Sequence, residues 1–187
     1  FILILRIEIL CPSKETTLSS SPLISNNSPV INLLLSLILN SYSLKYGSDL
    51  LSFLKENIVC LDGGMGTLLQ EAGMKPGELP EMWNLTHPEE IIKIQKNYFD
   101  AGSNVVNTNT FGANSLKFEL PLLEEIVAAA VANAKKAREL STNPKEKFVA
   151  LDIGPCGKLL KPYGDFDFED AVELFAQIVR AGVKNDV

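Results

Sequence analysis

The stretch "VCLDGGMGTLLQEAG", Val59 to Gly73, decides how this chain is read. A short apolar run ends on Asp62, and Gly63, Gly64 and Gly66 follow just where a helix is about to start. Glycines there let backbone N–H groups approach a ligand closely, and a helix start favours an anion such as a carboxylate. Asp62, at the strand tip, offers a carbonyl or a side chain to an ammonium group. Donors for a carboxylate beside acceptors for an amine suit an amino acid. The same glycines also suit a tight turn with no ligand, and that reading stands beside the first.

Working outward, the periodicities alternate in order. "NIVCLD" (57–62) reads as a short buried strand. "THPEEIIKIQKNYFDAG" reads as a helix, with Thr86 and Glu89 at capping-box spacing, Pro88 in the first turn and Gly102 at the end. Its inward face is Ile91, Ile94 and Tyr98, flanked by Ile92 and Phe99. "SNVVNTNTF" (103–111) is the next strand and its exit loop. "LPLLEEIVAAAVANAKKAREL" is a long helix with Leu122, Leu123, Ile126, Val127, Ala130 and Ala134 inward. "EKFVALDIGP" (146–155) is a third strand, and "DFEDAVELFAQIVRAG" (167–182) a further helix. The endings "YFDAGSNVV" and "IVRAGVKNDV" repeat one pattern, helix then Ala-Gly then strand, which predicts parallel strands joined by helical crossovers and a fourth strand from Val183. Lys184, Asn185 and Asp186 make that last strand a poor one.

Ligands of parallel β/α folds gather at the C-terminal ends of the strands. Three such ends are polar or glycine-rich: "LDGGMGT", "NTNTFGAN" and "LDIGP". The coincidence of three says more than any one. Each also has a purely structural reading: Asn107, Thr108, Asn109 and Thr110 as satisfiers of loop backbone groups, and Asp152 as a cap. His87 reads as a helix-start residue, Met82 and Trp83 as packing, and Lys117 as a solvated charge. Cys60, on a buried strand, and Cys156, on a loop, have neither a His nor a second Cys nearby and read as structural.

The bulk numbers bound the alternatives. A chain of 187 residues with 46% apolar and 21% charged residues is globular in composition and long enough for one real core. A net charge of −6 without a Lys/Arg run gives no support to a nucleic-acid or anionic-membrane partner. Three distant cysteines, Cys11, Cys60 and Cys156, form neither a disulfide framework nor a metal signature, which suits a reducing compartment such as the cytoplasm. The first residues differ from the rest. "TTLSSSPLISNNSP" is linker-like, while "FILILRIEIL" and "INLLLSLILN" fall short of the roughly 20 apolar residues that span a bilayer. Phe1 and the order of features do not fit a secretory signal. Residues 1–47 are therefore read as an extension or linker, with a helical arm as the alternative, and 48–187 as the functional part.

Taken together, "LDGGMGTLLQEAG", "ELPEMWNLTHPEEI", "AGSNVVNTNTFGANSLKF" and "LDIGPCGKLLKPYGDFDFEDAVELFAQIV" resemble the homocysteine S-methyltransferase family from about Asn57 to Gly182. They look most like its cobalamin-dependent branch, whose homocysteine-binding module is N-terminal. The resemblance implies an α/β fold, here an incomplete (β/α)8 TIM barrel of about three β/α units, residues 48–187 being its N-terminal part. It implies homocysteine as substrate, activated by zinc, with methylcobalamin as donor and methyltetrahydrofolate recharging it through folate and cobalamin domains. Carried over, Asp62 and Gly63 match the motif holding the amine and carboxylate, and Gly64, Met65 and Gly66 complete that loop. Thr108, Asn109, Thr110 and Phe111 match the second-strand wall. Asp152, Gly154 and Pro155 match the third-strand motif.

The departures from the family pattern are equally specific. Its zinc is held by a lone cysteine on a later strand and a vicinal cysteine pair, and Cys11, Cys60 and Cys156 match none of them. The acidic residue expected after strand four is absent as well. A full barrel takes about 250 residues. The expectation is a fragment without metal ligands or bound cofactor, unable to transfer a methyl group alone, with an open sheet edge. A cobalamin-independent relative using betaine or S-methylmethionine, a non-catalytic half-barrel and a phosphate-binding α/β enzyme are the alternatives.

Overall fold

The computed structural model describes residues 2–5 and 47–187. The linker-like stretch, "INLLLSLILN" and Cys11 lie outside the described residues. The elements, in chain order, are β1 (Ile2–Leu5), α1 (Gly47–Glu56), α2 (Met65–Glu71), a 3-10 turn (Pro80–Met82), α3 (Trp83–Thr86), α4 (Pro88–Ala101), β2 (Val105–Asn107), α5 (Leu120–Leu140), β3 (Phe148–Ile153) and α6 (Phe168–Lys184). The chain is an α/β protein.

Every strand pairing among the described residues is parallel. β2 lies on β3 with Val105 opposite Phe148 and Asn107 opposite Ala150. Leu61 forms a single parallel bridge to Val105 on the outer side of β2. A crossover through α5 joins β2 to the parallel β3, as the repeated helix-then-strand pattern predicts. On the far edge of β3, β1 is in register, Ile2 opposite Ala150 and Leu5 opposite Ile153. Part of the stretch expected as an extension is thus an added strand, and it occupies the edge expected to be open.

The core forms between sheet and helices because α4, α5 and α6 each present an apolar stripe. α5 buries Leu123, Ile126, Val127, Ala130, Val131, Ala134 and Ala137, and the small alanines let it lie close to α4. α6 buries Leu174 and Ile178 against Leu151 and Ile153 of β3. A second cluster, Leu69, Trp83, Ile91 and Ile94, joins α2 to α4.

Four local expectations are corrected. Thr86 is not a helix cap: it ends α3, where its hydroxyl donates to the Met82 carbonyl at 3.1 Å, and His87 takes the N-cap position of α4 instead. The α3 helix leaves no extended residue at 86 for a capping box to use. Pro88 does occupy the first turn, and Gly102 ends α4 in the left-handed region at φ 110°. Gly182, by contrast, ends nothing: α6 runs through it to Lys184, so no strand begins at Val183. There a glycine is required because a Cβ would stand 2.5 Å from Leu151 Cδ2. The chain then turns so that Val187 N–H reaches the Gly182 carbonyl and the Val187 side chain is buried. Finally, the 57–62 run is not a buried strand. Paired on one side only among the described residues, it leaves Ile58 90% exposed, and Cys60 is exposed too.

Candidate functional site

The three strand exits foreseen from the sequence are brought side by side, and side-chain hydrogen bonds tie each to the next. At the first, Asp62 is half-buried. Its Oδ2 accepts from Asn107 N–H at 2.8 Å and its Oδ1 from Asn107 Nδ2 at 2.6 Å. Burial pushes the Asp62 carboxyl above the ordinary carboxylate value, while the two Asn107 hydrogen bonds pull it down. Gly63 and Gly64 are exposed, and Gly64 is the N-cap of the seven-residue α2. The absent Cβ at Gly63 has a local reason, since it would lie 3.0 Å from the Tyr98 hydroxyl. That hydroxyl donates to the Gly64 carbonyl at 3.2 Å. Burial, and then the Asp62 charge, raises the Tyr98 phenol above its ordinary value. Nothing lies within 4 Å of a Cβ at Gly66, and Met65 is partly buried against the α2–α4 cluster.

Between the second and third exits, two threonines close a circuit. Asp152 N–H donates to Thr108 Oγ1 at 3.1 Å, and Thr110 Oγ1 donates to the Asp152 carbonyl at 2.7 Å. The hydroxyls are 2.7 Å apart, so the Thr108 proton is the one left to bridge them. Both threonines are buried. Asn109 is buried as well and turns away, its Nδ2 donating to the Pro80 carbonyl at 2.7 Å. Phe111 is 47% exposed, its ring packed over Gly154, whose Cβ would lie 2.8 Å from the ring and 2.4 Å from the Phe111 carbonyl oxygen. Pro155 is exposed.

Several residues that hold this arrangement were not singled out as ligand contacts. Asn107 grips Asp62, and Gln95, fully buried on α4, donates to the Asn107 carbonyl at 2.9 Å. Glu81, only 4% exposed, accepts from Gly112 N–H at 2.8 Å. A polar residue at a core position of a helix, as Gln95 is, was the available signal; nothing in the local spacing marks Glu81. Met82 and Trp83 pack as expected. Trp83 is stacked on His87 at 4.1 Å and donates from Nε1 to Glu78 at 3.0 Å. Lys117 is exposed.

The family resemblance implies a zinc ion held by thiolates. Among the described residues no group of three or more His, Cys, Asp or Glu is placed to hold a metal ion, and Cys60 and Cys156 are free thiols. The described residues do not fit a zinc site. No helix among them is long and apolar enough to cross a membrane.

What these exits can do is offer acceptors at Asp62 beside glycine backbone. The profile of the homocysteine S-methyltransferase family matches residues 59–187, and the chain belongs to that family. More particularly, it is 32% identical over 125 residues to methionine synthase of Mycobacterium tuberculosis (strain ATCC 25618 / H37Rv), covering 61% of this chain. It is also 32% identical over 126 residues to methionine synthase of Mycobacterium leprae (strain TN), covering 62% of this chain. The chain spans about a tenth of the length of these relatives, 10% in each case. Among solved structures it shares the fold of the homocysteine methyltransferase MmuM from Escherichia coli. The metallated form gives a TM-score of 0.61 at 22% identity, covering 73% of this chain and 54% of that one. The oxidized form gives 0.61 at 23% identity, covering 72% and 52%.

Proposed function

We propose that residues 48–187 are the N-terminal part of a homocysteine-binding (β/α)8 barrel, and that the three joined exits receive the amino-acid end of homocysteine. In the complete protein the product is methionine, with a methyl group supplied by methylcobalamin that methyltetrahydrofolate recharges. The methionine synthase relatives favour this reading over a donor such as betaine or S-methylmethionine. Zinc and cobalamin belong to that complete protein, and no residue described here is assigned to either.

The observation that carries the proposal is the state of Asp62. Its two oxygens face the donors of Asn107 at the mouth of a glycine exit, and each keeps lone-pair capacity for a further donor. Burial disfavours its charged form. A substrate ammonium placed against it restores that form, lowering the pKa again. Gly63, Gly64, Met65 and Gly66 then supply backbone N–H to the substrate carboxylate. Phe111, Gly154 and Pro155 form the facing wall, while Thr108, Thr110 and Asp152 tie the third exit to the second.

The test is an NMR titration of the 15N-labelled chain with L-homocysteine, with inorganic phosphate as the rival ligand. The proposal expects shifts at the Gly63, Gly64 and Gly154 amides with homocysteine, weakening as pH falls and Asp62 protonates. Shifts with phosphate alone would overturn it in favour of a phosphate-binding exit.

A further inference from the structure

The peptide group joining Phe111 to Gly112 is gripped from both sides. Its N–H donates to Glu81 Oε1 at 2.8 Å, and its carbonyl, on the opposite side, accepts from Gly154 N–H at 2.9 Å. Two glycines make this possible. A Cβ at Gly112 would lie 2.3 Å from Glu81 Oε1, and one at Gly154 would lie 2.4 Å from the Phe111 carbonyl oxygen. Neither approach tolerates a side chain. The segment that carries Glu81 is itself anchored to the same loop. Asn84 Nδ2 donates to both the Glu81 and Asn109 carbonyls at 2.8 Å, and Asn109 Nδ2 donates back to Pro80.

From this we propose that Glu81 is a positioning residue. Its carboxyl holds the Phe111–Gly112 peptide and, through it, sets where the third exit lies against the second. Hydrogen bonds on the two ends of one peptide polarise each other, so loss of the Glu81 contact weakens the Gly154 contact as well. Glu81 has no place in the substrate contacts proposed above; it acts one layer behind them. The consequence for homocysteine rests on the proposed function, but the network does not.

Amide hydrogen exchange in the whole chain, followed by NMR, tests it. In Glu81→Ala the Gly112 and Gly154 amides exchange faster by about tenfold or more, the scale of a lost buried hydrogen bond. Amides in the middle of α5, such as Val131, keep their rates. Glu81→Gln restores both glycines, because its Oε1 keeps the Gly112 bond and the replaced Oε2 has no hydrogen-bond partner to lose. Should Glu81→Ala not fold, Glu81→Asp, one methylene too short to reach Gly112, gives the same local pattern. A Gly154 amide that stays at its wild-type rate, or α5 amides that accelerate equally, overturns the proposal. Homocysteine titration of the same samples separates the two ideas. A wild-type chain that ignores homocysteine defeats the proposed function while the exchange ratio still decides Glu81. A wild-type chain that binds, with exchange unchanged in the variants, defeats Glu81 alone.

Discussion

Asn107 closes on both carboxyl oxygens of Asp62, with its backbone N–H on one and its side-chain amide on the other. The first exit, at Asp62, is thereby locked to the end of β2. Two forces compete at this carboxyl, and burial outweighs the hydrogen bonds, leaving its pKa raised. A carboxyl whose folded pKa exceeds the unfolded 3.8 binds more protons folded than unfolded between those two values. Its contribution to stability is full below the unfolded value and is lost as pH rises through the folded one.

Asp62→Asn removes that titration. Denaturant melts of both proteins across a pH series are expected to show the wild-type advantage shrinking as pH climbs above 3.8. An advantage that grows over the same window would mean that the Asn107 bonds win. Asp100 gives the opposite sign. Hydrogen bonds from Lys96 and Ser141 hold it down at about 2, so its contribution is present above 3.8 and is lost as pH falls from there through about 2.

Tyr98 and Gly63 form a second testable pair. An added methyl at Gly63 meets the Tyr98 hydroxyl at 3.0 Å, and the ring yields by giving up its bond to the Gly64 carbonyl. Gly63→Ala is expected to cost about 0.5–1.5 kcal/mol, the net worth of one hydrogen bond. In a Tyr98→Phe background the same substitution costs less, since the crowded hydroxyl is gone. A double-mutant cycle by chemical denaturation reads the coupling; a coupling of zero would show that the glycine answers to something other than Tyr98.

The outline of the fold was legible because it rests on periodicity. The stripes of α4 and α5 and the order of β2 and β3 follow from apolar spacing alone, and Gly102 was readable as a stop. What could not be read was long-range. Gly102 and Gly182 both follow Ala at the end of an amphipathic run, yet one adopts φ 110° and the other stays inside α6. The difference lies in Leu151, a residue 31 positions earlier in the chain, which claims the space of the missing Cβ. The site divides in the same way. Glycines and polar residues at strand exits marked the place, but the partner of Asp62 is 45 residues away and that of Glu81 is 31 away. No local pattern encodes such pairings.

Gly182→Ala separates those two influences. Helix propensity alone predicts a gain of about 1 kcal/mol for alanine over glycine within a helix. The contact 2.5 Å from Leu151 Cδ2 predicts a loss instead, on the scale of about 1–3 kcal/mol for overpacking a filled core. The expected outcome is net destabilisation, relieved in Leu151→Val, which removes the crowded atom. A thermal melt that rises in Gly182→Ala would show that β3 yields to α6.

The threonine circuit supplies the last prediction. Thr108 accepts from Asp152 N–H and donates to Thr110, which donates to the Asp152 carbonyl. Thr108→Val preserves shape but breaks two links: the Asp152 N–H loses the Thr108 oxygen to which it donates, while Thr110 keeps its own bond to the Asp152 carbonyl. The cost expected is about 1–3 kcal/mol for the orphaned donor. Thr110→Val also breaks two links, the Thr108 hydroxyl losing its acceptor and the Asp152 carbonyl its Thr110 donor. But a hydroxyl rotates to suit its surroundings, and a carbonyl tolerates a lost donor better than an amide tolerates a lost acceptor, so it is expected to cost less. Thr108→Ser keeps every link and should stay near wild type. Chemical denaturation of the three variants checks that order. Equal losses in Thr108→Val and Thr110→Val would indicate that the hydroxyl pair, rather than the Asp152 amide, holds the second and third exits together.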